Sequence, residues 1–510
     1  MPLFIVAMKN LGSLAVAVLA AALGVAAVRM LKKVEGGGTV LAGKSLSERK
    51  ILAVLFGGAA ALYLVLSLAV PPHGDVAWYR DWGDYILDNG ILNFLRDQDA
   101  DYPPLFLYFD TALVWLARVL HVPFSFLFKP AVSAVVVVSA YPLFKILRKY
   151  AGGGAALIGT GAYLLHPVNI LDTAIWGQTD VFISAAMIAV LYFLIAERWT
   201  PLFVSIFCAF AVKSQILFFL PVIGIWLIYI MVHRKLYVRF IVSAVAFVAA
   251  LYLLYLPFTW TYIAEEGDYF YLFEIFFRQV GHWNWFSANA MNFWAAIGLN
   301  LYEYEGVWLK LAAYAVVTAL SVALGVAVIR SKVRAEVKWP LAAFLQAGIC
   351  FYFLPFMHER YFVPAVSAFI FLLVLCKDEK LTLLGIALMA LCALNVIFKL
   401  CFSVEEMKTL PAGLMIAYAL AGTAVFVLYC IRAFRYLLGK CGDAEVGVSA
   451  EDRPGGADSA EDTRQGKDTN GESAAECAAA EQNLTGTTKG QASPAEDKLF
   501  SDEAPPLAGT

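Results

Sequence analysis

The chain has 510 residues, of which 61% are hydrophobic and only 15% are charged, and its formal net charge is −2. A soluble globular domain carries about 25% charged residues, so a water-soluble core of this length cannot absorb so much apolar surface. The composition therefore predicts a protein whose solvent is lipid and excludes a soluble enzyme.

Apolar runs recur along the chain from Leu3 to Leu438. Inside a bilayer every backbone polar group must be satisfied within the protein, which favours helices, and the runs are continuous rather than alternating, which excludes a transmembrane β-barrel. A spanning helix needs about 20 apolar residues, and on that basis we predict an all-α bundle of about thirteen transmembrane helices. The predicted spans are Leu3–Val28, Ile51–Val70, Pro130–Leu147, Ala155–Leu165, Val181–Ala196, Leu202–Val212, Ile216–Val232, Phe240–Leu256, Val307–Ile329, Leu341–Phe356, Tyr361–Cys376, Leu381–Cys401 and Gly413–Ile431.

Lysine and arginine residues orient this set, because short cytoplasmic loops carry an excess of them. The basic loops predict an N-terminus outside and a C-terminus inside, provided that Pro104–Leu120 lies on or dips into the outer face instead of crossing. The orienting residues include Lys32, Lys33, Arg148, Lys149, Arg234, Lys235, Arg330, Lys332, Lys377, Lys380, Arg432 and Arg435.

This topology and the change in composition divide the chain into two parts. Residues 1–440 form the predicted membrane domain, with a first large outer loop at 71–129, which carries helices at the membrane surface, and a second at 258–306. Residues 441–510 are rich in Ala, Gly, Ser, Thr and acidic residues and contain almost no aromatic side chains, so we expect a disordered cytoplasmic tail.

Polar side chains that are unusual at membrane helix ends collect on the predicted outer face. Ionisable groups in such places are costly unless they are paired or useful, so their gathering on one face indicates one site. Each has a structural interpretation as well: a solvated loop acid for Asp75, a helix-starting turn at Asp101, an interfacial aromatic residue at Trp176, and a salt bridge in the short turn after residue 357. The candidate residues are Asp75, Asp101, Tyr102, Trp176, Gln178, Asp180, Lys213, Gln215, Asn289, His358, Glu359 and Arg360.

The order of these motifs resembles the GT-C glycosyltransferases, especially the glucosyltransferases that use dolichyl-phosphate glucose, and is similar to prokaryotic membrane proteins resembling GPI mannosyltransferases. The matching elements, in chain order, are Gly74-Asp75 with Trp82, Asp101-Tyr102-Pro103-Pro104-Leu105, Trp176 with Gln178, Lys213 with Gln215, Asn289 with Asn292 and Trp294, and His358-Glu359 followed by Arg360 where those enzymes carry Lys.

The resemblance implies an inverting hexosyltransferase with a GT-C-like fold. It implies Asp75 as the base that takes the proton of the acceptor hydroxyl. We expect His358, Arg360 and Lys213 to bind the donor phosphate, with Arg suited to it through paired hydrogen bonds. We expect Asp101, Tyr102, Trp176, Gln178, Asp180, Gln215, Glu359 and Asn289 to bind substrate or support these groups.

The implied partners are a polyprenyl- or dolichyl-phosphate sugar carrying glucose or mannose, a lipid-linked or glycan acceptor, and membrane lipids; we expect no nucleic acid. The leaving group is already a phosphate, so we expect no general acid. The outer loops offer no tight Asp/His triplet, so we expect no metal, although Asp75 with Asp101 could bind one weakly. We also expect no cofactor. The expected location is the plasma membrane of a prokaryote or the endoplasmic reticulum of a eukaryote, with the site on the outer or lumenal face.

Two other functional classes remain open at this point. A transporter or lipid flippase would place ionisable residues near the bilayer midplane, whereas the apolar runs here are nearly free of charge. A non-catalytic membrane scaffold is the third interpretation, for which the expected disordered tail is the only indication.

Overall fold

The computed structural model describes residues 3–35, 47–98, 100–280, 285–303, 306–402, 406 and 412–441. Almost all of this part of the chain is helical. The helices are α1 Leu3–Glu35, α2 Glu48–Ala69, α3 Gly74–Asn89, α4 Phe94–Asp97, α5 Pro104–Leu120, α6 Ser125–Leu164, α7 Pro167–Asn169, α8 Asp180–Ile195, α9 Trp199–Val212, α10 Leu220–His233, α11 Tyr237–Glu266, α12 Tyr271–Val280, α13 Phe293–Ala296, α14 Val307–Arg330, α15 Ala335–Phe353, α16 Ala365–Leu375, α17 Glu379–Cys401 and α18 Ala412–Leu437.

Seven of the described helical stretches are long and apolar enough to cross a membrane, and four shorter apolar helices, α8, α9, α10 and α16, accompany them. Large aliphatic side chains stand exposed on their surfaces, for example Val138 at 71% and Val238 at 77%. Such exposure is ordinary against hydrocarbon and unfavourable against water. The chain is thus a helical protein of the membrane-embedded type. Each of the thirteen predicted runs contains a helix, while the number of helices that actually cross the bilayer stays a prediction.

Breaks in the helices lie at the ends of the two shortest predicted spans, Ala155–Leu165 and Leu202–Val212. Gly152 has φ 81°, which separates α6 into two helices where the sequence predicts Pro130–Leu147 and Ala155–Leu165. After α7 a π-helix runs from Ile170 to Trp176. The run that begins at Ile216 starts inside a 3₁₀ turn, Ser214–Phe218, before α10. Irregular backbone inside a membrane protein is tolerated where protein shields it. The π-helix and the 3₁₀ turn lie next to the site described below, whereas Gly152 follows Arg148 at the opposite end of the helices.

Ion pairs tie together the helix ends that carry the predicted cytoplasmic basic residues. Arg148 lies 3.3 Å from Glu48, Arg234 lies 2.7 Å from Glu197, and Arg432 lies 2.6 Å from Asp378. The opposite ends of these helices carry the candidate site: α8, for example, begins at Asp180 and ends at Ile195, just before Glu197.

The two predicted outer loops contain regular structure. Residues 71–129 hold α3, α4 and α5, and Arg118 in the last turn of α5 pairs with Asp84 and Asp88 of α3. In the second loop, α11 continues past Pro257 to Glu266, and α12 and α13 follow. Two short parallel strands, β1 (Ser287–Ala288) and β2 (Met357–His358), pair this loop with the turn before α16, so the fold is not helical throughout.

Parts of the predicted tail and outer loops lie outside the described residues. They are the tail from residue 442 onward, for which we predict disorder, residue 99 of the first loop, and residues 281–284 and 304–305 of the second loop.

Candidate functional site

The carboxylate of Asp75 lies in the first turn of α3, where residues from two other segments contact it. The indole N–H of Trp176 donates to Oδ2 at 3.1 Å, and the side-chain amide of Gln178 donates to the same oxygen. Nδ1 of His73 lies 3.3 Å from the other oxygen, Oδ1, and 3.4 Å from the backbone N–H of Asp75. Nδ1 can therefore accept from that amide when it carries no hydrogen or donate to Oδ1 when it carries one.

The charge state of Asp75 follows from these contacts. Burial alone would raise the pKa of the carboxyl group, but the hydrogen bond with His73, the positive charge of Arg360 and the indole N–H outweigh it and hold the pKa well below its usual range. Asp75 is therefore ionised at neutral pH. Its side chain keeps 22% of its surface exposed, so a substrate hydroxyl can approach it.

The π-helix and the turn that follows it position Trp176 and Gln178. Gly177 adopts φ 89°, a left-handed conformation that favours glycine. Its backbone N–H and that of Gln178 donate to carbonyls of Thr173 and Asp172 at 2.9 and 2.8 Å, which closes the turn. A Cβ at position 177 would approach Val76 Cγ2 to 2.7 Å, so the backbone here packs directly beside the residue that follows Asp75.

A group of buried hydroxyl groups connects α3 with this turn. The Tyr79 hydroxyl donates to Gln178 Oε1 at 3.2 Å and lies 2.9 Å from the Tyr102 hydroxyl, which accepts a hydrogen bond from Thr179 Oγ1 at 3.0 Å. Tyr79 was not among the predicted site residues. Its position four residues after Asp75 on one helix face was the available signal, since residues four apart on a helix are neighbours.

Two cations meet the buried carboxylate of Asp180, which begins α8. Lys213 Nζ lies 3.0 Å from Asp180 Oδ2, and Arg360 Nε lies 3.6 Å from the same oxygen. Neither contact has hydrogen-bond geometry, and both oxygens of Asp180 lack a hydrogen-bond partner among the described residues. Burial alone would lower the pKa of Lys213, but the attraction of Asp180 raises it, so the ammonium stays charged. Asp180 thus holds both cations by charge alone.

The turn His358-Glu359-Arg360 brings Arg360 over the ring of Trp176, with Cζ 5.4 Å from the ring centroid. Arg360 donates to Glu359 Oε1 at 2.9 Å, and this carboxylate counteracts the effect of burial and raises the pKa of Arg360 well above its usual range. Burial and the neighbouring charge of Arg360 lower the pKa of His358 well below its usual range, so its imidazole is neutral. The cations of the site are therefore Lys213 and Arg360, and His358 contributes a neutral hydrogen-bonding group.

A cavity of about 110 Å³ lies beside these cations. Its lining includes Asp101, Tyr102, Lys213, Gln215 and Arg360. Gln215 is only 4% exposed, yet neither its amide nitrogen nor its amide oxygen has a hydrogen-bond partner among the described residues. A buried amide without partners costs free energy, so this side chain is suited to a polar ligand in the cavity.

Asn289 lies near the turn but does not line this cavity. It has φ 59° and forms a backbone bridge with His358. Its backbone N–H donates to Asn300 Oδ1 at 2.8 Å, and the side-chain amide of Asn395 donates to its backbone carbonyl at 2.7 Å. Its contacts therefore hold the position of His358.

Eleven of the twelve predicted residues thus take part in one connected cluster or line its cavity: Asp75, Asp101, Tyr102, Trp176, Gln178, Asp180, Lys213, Gln215, His358, Glu359 and Arg360. No group of three or more His, Cys, Asp or Glu side chains in the described ranges has an arrangement suited to a metal ion. In comparisons with known proteins, no family model and no curated protein matches the chain.

Proposed function

We propose that the protein is an inverting glycosyltransferase that moves a hexose, glucose or mannose, from a polyprenyl-phosphate carrier to a lipid-linked or glycan acceptor at the outer or lumenal face of the membrane. One observation carries the proposal. Trp176 connects an ionised carboxylate with a fixed cation, because its N–H donates to Asp75 and its ring lies under Arg360. A base for the acceptor therefore lies at the N–H edge of one indole, and a positive charge for the leaving phosphate lies over the face of the same ring.

The proposed reaction is a single displacement. The acceptor hydroxyl attacks the anomeric carbon, the new C–O bond forms as the bond to the phosphate oxygen breaks, and the hydroxyl proton passes to Asp75. The electron pair of the broken bond leaves with the lipid phosphate. Arg360 and Lys213 stabilise the charge that grows on the leaving oxygen, so they lower the transition state more than the ground state.

The carboxylates around the two cations indicate how much negative charge the donor carries. Asp180 and Glu359 already neutralise much of the charge on Lys213 and Arg360. Such a site suits the single negative charge of a phosphodiester better than a diphosphate. Since Asp180 makes no hydrogen bond to either cation, the donors of Lys213 and Arg360 can turn to phosphate oxygens while Asp180 still balances their charge.

Asp101 is the second candidate for the base, because it lines the cavity directly while Asp75 does not. Asp75 has the stronger case, since its carboxylate is oriented by Trp176 and Gln178 and keeps one oxygen free of them. A carboxylate with a lowered pKa is a weak base, so proton transfer occurs late, when the attacking oxygen has become acidic through bond formation.

The test is an assay of the purified full chain with radiolabelled polyprenyl-phosphate glucose and polyprenyl-phosphate mannose. Asp75→Asn keeps the hydrogen bonds, since its carbonyl can face Trp176 and Gln178 and its amide can face Nδ1 of His73. We expect Asp75→Asn to lower transfer by roughly a hundredfold or more while donor binding is kept. Asp101→Asn is the matched variant. A severe defect in Asp101→Asn together with normal turnover in Asp75→Asn would move the base to Asp101, and absence of transfer with either donor would refute the proposal.

A transporter or flippase is the second candidate, and one observation favours it. Asp172 lies fully buried in the π-helix, within the apolar stretch Ser125–Trp176, and its oxygens have no hydrogen-bond partner among the described residues. Ionisable residues inside broken helices often mark transport sites. Movement of a labelled lipid phosphate across a proteoliposome membrane, lost in Asp172→Asn but kept in Asp75→Asn, would support this alternative over the enzyme.

A further inference from the structure

His73, the residue before α3, contacts Asp75 twice through one ring nitrogen. Its Nδ1 accepts from the backbone N–H of Asp75 at 3.4 Å, which caps the helix, and lies 3.3 Å from Oδ1 of the Asp75 carboxylate. A nitrogen that accepts from an N–H group carries a lone pair, so the ring hydrogen of neutral His73 is on Nε2. The lone pair of Nδ1 is therefore within reach of a proton on Oδ1.

The two oxygens of Asp75 differ in their partners. Oδ2 accepts hydrogen bonds from the indole N–H of Trp176 and the side-chain amide of Gln178. Oδ1 makes neither of these bonds and lies beside Nδ1 of His73. A proton that comes from the acceptor hydroxyl is therefore received by Oδ1, because two donors already point at Oδ2.

The surroundings of Asp75 favour its ionised form, so a proton on this carboxylate is held at an unfavourable place. The hydrogen bond with His73 and the charge of Arg360 outweigh burial and keep the pKa of Asp75 well below its usual range. Imidazole is intrinsically a stronger base than a carboxylate. Movement of the proton from Oδ1 to a neutral imidazole restores the ionised carboxylate, which keeps its partners.

We propose that His73 takes the acceptor proton from Asp75 and releases it to the solvent. This inference rests on the proposed glycosyltransferase activity and adds a second proton acceptor to it. The Oδ1–H bond of Asp75 breaks as an N–H bond forms at Nδ1, which leaves a carboxylate and an imidazolium. A proton then leaves the imidazolium for water, since 32% of the His73 side-chain surface is exposed. His73 contacts Asp75 and not the substrate, so it acts on the reaction through Asp75.

A helix cap is the competing role of His73, and the chain offers a second histidine with the same cap geometry. His166 precedes α7, and its Nδ1 accepts from the backbone N–H of Val168 at 3.3 Å. His166 is buried, and it forms no ion pair within the described part of the chain. It therefore shares the cap of His73 and lacks both the neighbouring carboxylate and the exposure.

The experiment measures kcat for donor consumption by the purified full chain, with radiolabelled polyprenyl-phosphate glucose and polyprenyl-phosphate mannose at one fixed pH. His73→Asn keeps a cap, since the side-chain oxygen of Asn accepts from the same backbone N–H, and removes the nitrogen that takes the proton. His73→Gly leaves space beside Asp75 for a small added base. Activity is expressed per monodisperse molecule, and His166→Asn is the matched control.

We expect His73→Asn to lower kcat roughly tenfold, a part of the effect of a complete general base. The KM for the donor should stay unchanged, because the proposed phosphate site is at Lys213 and Arg360. Added imidazole should restore kcat in His73→Gly, whereas pyrazole, a ring of the same size and a far weaker base, should not. His166→Asn should keep the wild-type kcat, and imidazole should not restore Asp75→Asn, since the proposed path runs through Asp75.

Wild-type kcat in His73→Asn overturns the proton path through His73 and leaves the glycosyltransferase standing. Equal restoration of His73→Gly by imidazole and pyrazole does the same, because it would show that the ring only fills space. Equal losses in His73→Asn and His166→Asn, without restoration by imidazole, would reduce both histidines to helix caps. If wild type consumes neither donor, the proposed enzyme is refuted and the proton path falls with it.

Discussion

At Arg360 a single side chain contacts a carboxylate on its own turn, a second carboxylate on α8 and the face of Trp176. A buried arginine with these neighbours has two possible roles. It binds substrate phosphate, or it only ties three segments together. The two roles predict different effects of substitution, because the first concerns turnover and the second concerns stability.

We predict a mild loss of transfer for Arg360→Lys, which keeps the charge and loses the fork geometry, and a severe loss for Arg360→Ala. Arg432→Ala is the matched control, since Arg432 also pairs with a fully buried aspartate, Asp378, at the opposite helix ends. Breaking such a pair costs about 3 to 5 kcal/mol of stability, so both alanine variants should yield less folded protein. Specific activity per monodisperse molecule separates them: Arg432→Ala should keep it. Equal specific activity in Arg360→Ala and wild type would leave only the structural role.

The pH dependence of transfer tests the charge states at the site. The lowered pKa of Asp75 means that it stays ionised, and the lowered pKa of His358 means that it stays neutral, as the pH rises from about 6 to 8. Neither group changes its charge in this window, so we predict that neither of them makes kcat/KM change across it. If His358 acted as a cation with an ordinary pKa, activity would instead fall as the pH rose through about 6.5. A fall in activity of that kind, present in wild type and absent in His358→Gln, would contradict the conclusion that the imidazole of His358 is neutral.

At the scale of elements, the irregular segments position the site. The π-helix ends at Trp176, the 3₁₀ turn begins just after Lys213, and the paired strands hold His358. Regular helices continue in one direction, whereas these breaks turn the backbone so that three separate segments meet at one site. Gly177 is the most constrained of the turning points, because it combines a positive φ with a close neighbour.

We predict that Gly177→Ala lowers transfer at least about tenfold, because the new methyl group pushes Val76, and with it Asp75, away from Trp176 and Gln178. The left-handed φ adds a strain of about 1 to 3 kcal/mol. Gly267→Ala is the matched control: Gly267 has φ 70° at the end of α11, and a Cβ there meets nothing within 4 Å. That variant should lose stability and keep its specific activity. Similar activity losses in both variants would mean that backbone strain, rather than displacement of Asp75, is responsible.

At the scale of the whole molecule, the two ends of the helical bundle differ in chemistry. One end carries arginines and lysines in ion pairs such as Arg148–Glu48, and the other carries the candidate site with its cavity. This separation matches the asymmetry expected of a protein whose basic loops stay in the cytoplasm.

We therefore predict that cysteines placed at Ser47 and Ser331 are protected from an impermeant thiol reagent in intact cells, and that cysteines placed at Asp88 and Glu265 react. The background is a variant that lacks the native cysteines, and permeabilised cells provide the control for accessibility. Labelling at Ser331 with protection at Asp88 would invert the topology and place the site in the cytoplasm.

The sequence by itself determined the helical membrane class, the positions of the apolar runs and the set of polar residues that share one end of the bundle. Hydropathy and charge are properties of short segments, so their order along the chain carries this information. Only the tertiary structure decided the rest: that Tyr79 joins the hydroxyl group network, that Asp180 holds both Lys213 and Arg360, and that His358 is neutral. The physical reason is that hydrogen bonds and charge states depend on distances of a few ångströms between segments and on burial, and these are set when the helices pack.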